Sequence, residues 1–187
     1  MTPANVVRVL GFSGSLRKAS FNTALLRAAV ELAPPGVQLE TTGIGDIPLY
    51  NEDVREQGYP APVAELRRRV AAADALLITT PEYNYSIPGV LKNAIDWVSR
   101  PPDQPFDGKP LALMGASMGT IGTARAQYHL RQTAVFLNMH PLNRPEVMVS
   151  RAHERFDASG RLTDEEIRAR VTSLLSALAE WTRRLRS

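Results

Sequence analysis

The sequence predicts an α/β protein in which a five-stranded parallel sheet is covered by helices on both faces, a three-layer sandwich. Three observations predict it. Short β-rich or nearly unbroken apolar runs recur five times along the 187 residues. Each is followed by a stretch whose apolar residues fall at helical spacing. Strict alternation of this kind calls for parallel pairing, since each parallel connection needs a crossover that a helix usually supplies.

In order, Val6-Val7-Arg8-Val9-Leu10-Gly11-Phe12 reads as the first strand, and Asn22 to Ala33 as a helix that Pro34-Pro35-Gly36 ends. Val37-Gln38-Leu39-Glu40-Thr41 alternates with period two, as a strand does. A loop punctuated by glycine and proline follows, roughly Gly43 to Pro62, and then a helix from Val63 to Ala73. Asp74 to Thr80 is nearly unbroken apolar sequence ending in two threonines, as expected of a strand buried on both faces. A helix over Gly89–Ser99, a strand over Leu111–Ala116 and a helix over Thr123–Leu137 come next. Glu146 to Val149 makes the fifth strand, and an amphipathic helix from Thr163 to Leu185 closes the chain.

A chain of this length fits one domain, here residues 1–187, with one site. Composition removes several function classes. Lys and Arg total 22 against 19 acids, a net charge of only +3, and the basic runs Arg67-Arg68-Arg69 and Arg183-Arg184 sit on helix-like segments. They read as solvated helix faces, and no nucleic-acid partner is expected. With no cysteine there is no disulfide, no thiolate nucleophile and no cysteine-held cluster. Met1 to Asn5 carry no leader pattern and no apolar run approaches the ~20 residues of a membrane span, so the expected location is the cytoplasm, without a membrane partner.

Doubly wound sheets bind ligands outside the carboxyl ends of their strands, where the winding reverses. The loops after strands one, three and four are therefore the places to look. The first, Gly11 to Asn22, gathers Ser13, Ser15, Ser20 and Asn22 with Arg17 just before a helix N-terminus. Hydroxyls, a guanidinium and main-chain N–H groups there suit a phosphate dianion. Neither the Gly-x-x-x-x-Gly-Lys loop nor the Gly-x-Gly-x-x-Gly fingerprint occurs there, which favours a mononucleotide. The plain alternative is a connector with Asn22 as the helix cap. The third loop, Pro81 to Gly89, holds Glu82, Tyr83, Asn84 and Tyr85 between two prolines, stiff enough to offer backbone groups and a ring face to a flat heteroaromatic ligand. The fourth, Ala116 to Gly122, is small and hydroxyl-bearing around Ser117 and Gly119. Trp97 and Ile95 read as core.

Gly14-Ser15-Leu16-Arg17-Lys18-x-Ser20-x-Asn22, Thr80-Pro81-Glu82-Tyr83-Asn84-Tyr85-Ser86 and Leu91-Lys92-Asn93-Ala94-Ile95-Asp96-Trp97 resemble the NADPH-dependent FMN reductase family, on its quinone and chromate reductase branch. Ile47 to Asp53 and Gln127 to Gln132 resemble that branch too. The resemblance implies a flavodoxin-like sheet of order 2-1-3-4-5, FMN as cofactor and NADPH or NADH as electron donor. It implies phosphate contacts from Ser13, Ser15, Arg17, Ser20 and Asn22 and ring contacts from Glu82, Tyr83, Asn84 and Tyr85, with Leu16 and Pro81 also among the cofactor-binding residues. Ser117 and Gly119 complete the set. It also implies a homodimer or homotetramer.

If FMN is bound, hydride passes through the flavin, so no catalytic side chain is nominated. His129 and His140 form no triad and no metal-ligand spacing. Arg125, Tyr128 and Glu146 are candidates for a subunit contact or the edge of an acceptor pocket, because Ala124, Tyr128 and Arg131 fall near one helical face. The acceptor expected is a quinone or a similar small molecule, with chromate, nitro and azo compounds open. Two other readings stay open, a reductase using FMN as a diffusible substrate and a flavodoxin-type electron carrier. The slightly basic charge weighs against the carrier, and Ser13-Gly14 and Pro81-Glu82 stand where a receiver domain needs acidic residues.

Overall fold

Strands Val7–Ser13 (β1), Val37–Thr42 (β2), Ala75–Thr79 (β3) and Pro110–Ala116 (β4) lie parallel in the spatial order β2-β1-β3-β4. These bounds come from a computed structural model that describes residues 6–186, so the leader reading of Met1 to Asn5 falls outside the described residues. The fifth position of the sheet, beside β4, is shared by two short strands. His140–Pro141 (β5) pairs with Pro110 and Leu111, and Val147–Val149 (β6) pairs with Met114 to Ala116. The expected order 2-1-3-4-5 therefore holds, with the last strand broken in two.

Helices Phe21–Glu31 (α1) and Glu165–Arg186 (α6) cover one face, and Ala61–Ala72 (α3), Gly89–Val98 (α4) and Ala124–Phe136 (α5) cover the other. Alternation along each strand feeds the two cores separately, because successive side chains leave a strand on opposite faces. Val9, Leu77 and Met114 pack on the α1/α6 side, whereas Phe12, Ile78 and Leu113 pack on the α3/α4/α5 side. Trp97 and Ile95 are buried there, as expected.

Three elements among the described residues escaped the sequence, one of them the short 3-10 turn Ala152–Glu154 after β6. Helix Glu52–Glu56 (α2) lies inside the predicted loop, capped by the Asn51 side chain, which accepts from the Asp53 N–H at 2.8 Å. It buries no residue, so it leaves no amphipathic pattern. Strand β5 ends in a proline and is followed by Leu-Asn-Arg-Pro, which reads as a connector. Only its seat beside β4 makes it a strand.

The reading of Arg67 as part of a solvated face is corrected. Its guanidinium donates to the carbonyls of Val98, Arg100, Pro102 and Asp103 and lies 4.3 Å from the Tyr59 ring centroid. It thus takes the orphan carbonyls that follow α4. Arg68 does face solvent, paired with Glu65, and Arg69 donates to the Thr41 carbonyl at 3.0 Å. The long loop before α3 is pinned in the same way, since Trp97 Nε1 and Asn93 Nδ2 both donate to the Pro48 carbonyl at 2.8 Å.

Candidate functional site

At the carboxyl edge of the sheet, the loops after β1, β3 and β4 surround a cleft of about 260 Å³. From the first loop Ser15, Arg17, Ser20 and Asn22 stand on its wall, from the third Pro81, Glu82 and Tyr83, and from the fourth Ser117. Phe21, Ala116 and Met118 line it too, although sequence reasoning did not nominate them. Their only signal was their place within the first and fourth loops. Ser13, Leu16, Asn84, Tyr85 and Gly119 do not line this cleft, and Ser13 and Leu16 face the adjoining groove toward β2.

The first loop is tightened by its own side chains. Ser13 Oγ accepts from the Ser15 N–H at 3.2 Å and from the Thr23 hydroxyl at 3.2 Å. Ser20, not Asn22, caps α1, accepting from the Thr23 N–H at 3.3 Å. The first turn of α1 carries no acid, so its N–H groups and dipole face the cleft without a competing carboxylate. Arg17 is exposed, its guanidinium 2.5 Å from the Ala19 carbonyl and 5.8 Å from the Phe21 ring centroid. Gly14 packs closely on α4, where a Cβ would lie 3.0 Å from Leu91 Cδ2 and 3.2 Å from Leu91 Cβ.

Asn22 corrects the alternative reading of it as a cap, and its amide is also committed elsewhere than to the loop. It is buried, its Nδ2 donating to the Ala116 carbonyl and its Oδ1 accepting from the Ala116 N–H, both at 2.9 Å.

The third loop closes on itself. Tyr83 and Ser86 exchange two backbone hydrogen bonds of 3.0 Å, and between them Asn84 and Tyr85 both take positive φ, 51° and 66°. Such a turn normally carries Gly or Asn, and a tyrosine there is strained. Arg125 holds it, with its guanidinium 3.6 Å from the Tyr85 ring centroid and its Nε 2.5 Å from Glu82 Oε1. The other Glu82 oxygen accepts from the Ala126 N–H at 3.2 Å. Glu82 therefore ties the third loop to the start of α5, and the one carboxylate on the cleft wall is already paired. His129 Nδ1, 3.0 Å from Ser86 Oγ, braces the same turn. Tyr83 and Tyr85 remain 52% and 67% exposed, leaving two ring faces at the rim.

The fourth loop is stitched to the chain leaving β6. Ser117 donates its N–H to the Val149 carbonyl, Ala152 donates to Ser117 and Arg151 to Gly119, at 2.9 to 3.0 Å. Arg125, Tyr128 and Glu146 do not form one cluster, since Arg125 belongs to the third loop, while the Tyr128 hydroxyl bonds Glu146 at 3.2 Å. Among the described residues no cluster of metal-ligating side chains occurs, and no helix is long and apolar enough to cross a membrane.

An acid-free helix N-terminus with serines and an arginine on one side, and exposed aromatic faces on the other, fits a ligand with a phosphate at one end and a flat ring at the other. Residues 7–154 match the family model described as NADPH-dependent FMN reductase. The chain belongs to the NADPH-dependent FMN reductase family. It is a flavin-dependent NAD(P)H oxidoreductase of flavodoxin-like fold, and the residues present fit FMN. It is 61% identical to an NAD(P)H-dependent FMN reductase of Pseudomonas aeruginosa over 180 residues, 96% of this chain and 97% of that one. Over 183 residues, 96% of this chain and 97% of the other, it is 45% identical to a quinone reductase of Escherichia coli. Among solved structures, the flavoenzyme NAD(P)H:(acceptor) oxidoreductase FerB of Paracoccus denitrificans superposes with a TM-score of 0.87 at 37% identity, covering 96% and 98% of the two chains.

Proposed function

We propose that the chain acts as one domain that holds FMN in the carboxyl-edge cleft and uses NAD(P)H to reduce a quinone or a similar small acceptor. The observation that carries this reading is the convergence of three separate loops on one cleft with a phosphate-suited end and an aromatic rim. Ser15, Arg17 and Ser20, with the N–H groups that open α1, hold the phosphate. The backbone of Pro81 to Tyr83 meets the ring edge and Tyr83 shields it, with Tyr85 at the rim beyond, while Ser117 lies along the ribityl side. When bound, FMN supplies the redox chemistry, taking a hydride from NAD(P)H and delivering two electrons to the acceptor. The protein's own part is to keep these loops rigid, so that little ordering is left to binding.

Quinone reduction draws support from the named activity of the 45%-identical relative. A homo-oligomer draws support from α5, where Tyr128, Val135 and Phe136 are 54%, 77% and 87% exposed, apolar side chains that a second subunit would cover. The requirement for NAD(P)H argues for a cytoplasmic setting.

The test is anaerobic addition of NADPH or NADH to the FMN-loaded protein, followed by a quinone. Bleaching of the flavin band and its return on adding the quinone are expected. A flavin that neither nucleotide bleaches overturns the proposal. Retention of the yellow colour through exhaustive desalting separates a resident cofactor from a diffusible substrate.

A further inference from the structure

The β3–β4 ladder stops one step short of the end of β4. Thr80 donates its N–H to the Met114 carbonyl at 3.0 Å. A parallel ladder carried one step further would have the Ala116 N–H donate to the Thr80 carbonyl and the Ala116 carbonyl accept from Glu82. Neither bond forms. Both Ala116 groups instead pair with the side-chain amide of Asn22, at 2.9 Å each. On its other side Ala116 is aligned with Val149 of β6. The carboxamide of a helix residue thus occupies the slot of a sheet strand, with the donor and acceptor of one peptide group.

This exchange leaves Pro81 and Glu82 free to turn away from β4, and the gap between the diverging chains is the cleft, with Asn22 and Ala116 both on its wall. We propose that Asn22 is a positioning residue. Its amide substitutes for β3 beside Ala116 and so holds the ends of β3 and β4 apart at the width that the flavin requires. The inference rests on the FMN reading given above and gives Asn22 a role different from the phosphate contact implied by the family resemblance. Without the amide, two backbone groups on the cleft wall lose their partners, and the end of β4 either shifts toward Thr80 or loses its fixed place. Binding must then restore the gap, at the expense of affinity for the whole flavin rather than for its phosphate alone.

Riboflavin, which has the ring and ribityl chain but no phosphate, separates the two roles. Apoprotein is titrated with FMN and with riboflavin, following quenching of flavin fluorescence, for the wild type, Asn22→Leu, Asn22→Ala and Arg17→Ala. Asn22→Leu keeps the side chain's size in its buried site. Both Asn22 variants are expected to weaken the two flavins by the same factor, about tenfold. Arg17→Ala is expected to weaken FMN alone. Loss confined to FMN in the Asn22 variants makes Asn22 a direct phosphate contact and overturns the inference, as does unchanged affinity for both flavins. A wild type that binds neither flavin overturns the FMN reading itself, and the inference with it. Should the variants fail to fold, amide hydrogen exchange in the wild-type apoprotein decides. Ala116 is expected to exchange as slowly as the β4 interior, and exchange as fast as that of exposed loop amides shows that the Asn22 bridge is absent.

Discussion

At the amino edge of the sheet, Asp74 enters β3 with a side chain only 8% exposed, held by Arg8 from β1 through Nη2 at 3.0 Å and by Arg186 from the end of α6. Lys109, just before β4, closes the same edge by donating to the Ala71 and Ala73 carbonyls. At the carboxyl edge, 52–67% of Tyr83, Met118 and Tyr85 is left in solvent, and loop is tied to loop around a gap. The same strands therefore end in ion pairs that clamp the termini of the fold on one side and in a preformed cleft on the other. Charges that lock elements together belong at one edge. Charges that tie a loop to the helix beside it at the rim of the cleft, such as Glu82 with Arg125, belong at the other.

Substitutions at the two edges should move different observables. The largest effect is expected at a residue that breaks the separation. A Cβ on Gly115 would lie 1.9 Å from Thr123 Oγ1 and 2.5 Å from the Thr80 carbonyl oxygen, between the third and fourth loops. Gly115→Ala should cost about 3 kcal/mol of stability, and it should weaken flavin binding as well, as thermal melts and flavin titration would register together. Next is Asp74→Asn, which should remove about 2 kcal/mol and lower the melting temperature by roughly 5 °C, with flavin affinity unchanged. Arg17→Ala is the converse. It should weaken FMN by roughly tenfold or more, the range of a charge-assisted hydrogen bond, while the melting temperature of the apoprotein stays where it was.

Asp74 also sets a pH dependence. Burial pushes its carboxyl up, but the side-chain and backbone hydrogen bonds from Arg8, together with Arg186, outweigh that and hold it at about 2, below the ordinary carboxylate value of 3.8. A carboxyl lowered by folding stabilises the protein fully above its unfolded value and loses that contribution as pH falls through the folded one. Urea midpoints of the wild type should therefore drop between pH 4 and pH 2 more steeply than those of Asp74→Asn. The smallest effect on flavin affinity is expected for Arg125→Gln, which removes the guanidinium from the Tyr85 ring and from Glu82 Oε1. The phosphate end of the cleft is untouched, so flavin affinity should fall by only about threefold. Glu82, left with the Ala126 N–H alone, loosens the third loop, visible as faster amide exchange at Ser86.

How much of this was legible depended on how local the signal was. Ser15, Arg17 and Ser20 stand in a single turn, and Pro81 to Tyr83 in another, so topology alone was enough to direct attention to them. Arg67 sits in a basic run on an amphipathic helix, and nothing in that run tells that its guanidinium reaches the end of α4. The place of Asn22 beside the cleft was legible, but not its hydrogen bonds, because its partner is Ala116, distant in the chain. Arg125 was nominated for a subunit or acceptor contact, and its grip on Glu82 and Tyr85 depends on two loops meeting.

By itself the sequence determined the five βα repeats, the parallel sheet and the sheet edge at which the cleft lies, because hydrophobic period and turn chemistry act over a few residues and are written in order along the chain. Only the tertiary structure decided that the fifth strand is split, that α2 exists, and that Asn22 completes the edge of β4. Those features have no local signature. They follow from which backbone groups are left without partners once the strands are packed, and that depends on neighbours far away in the chain.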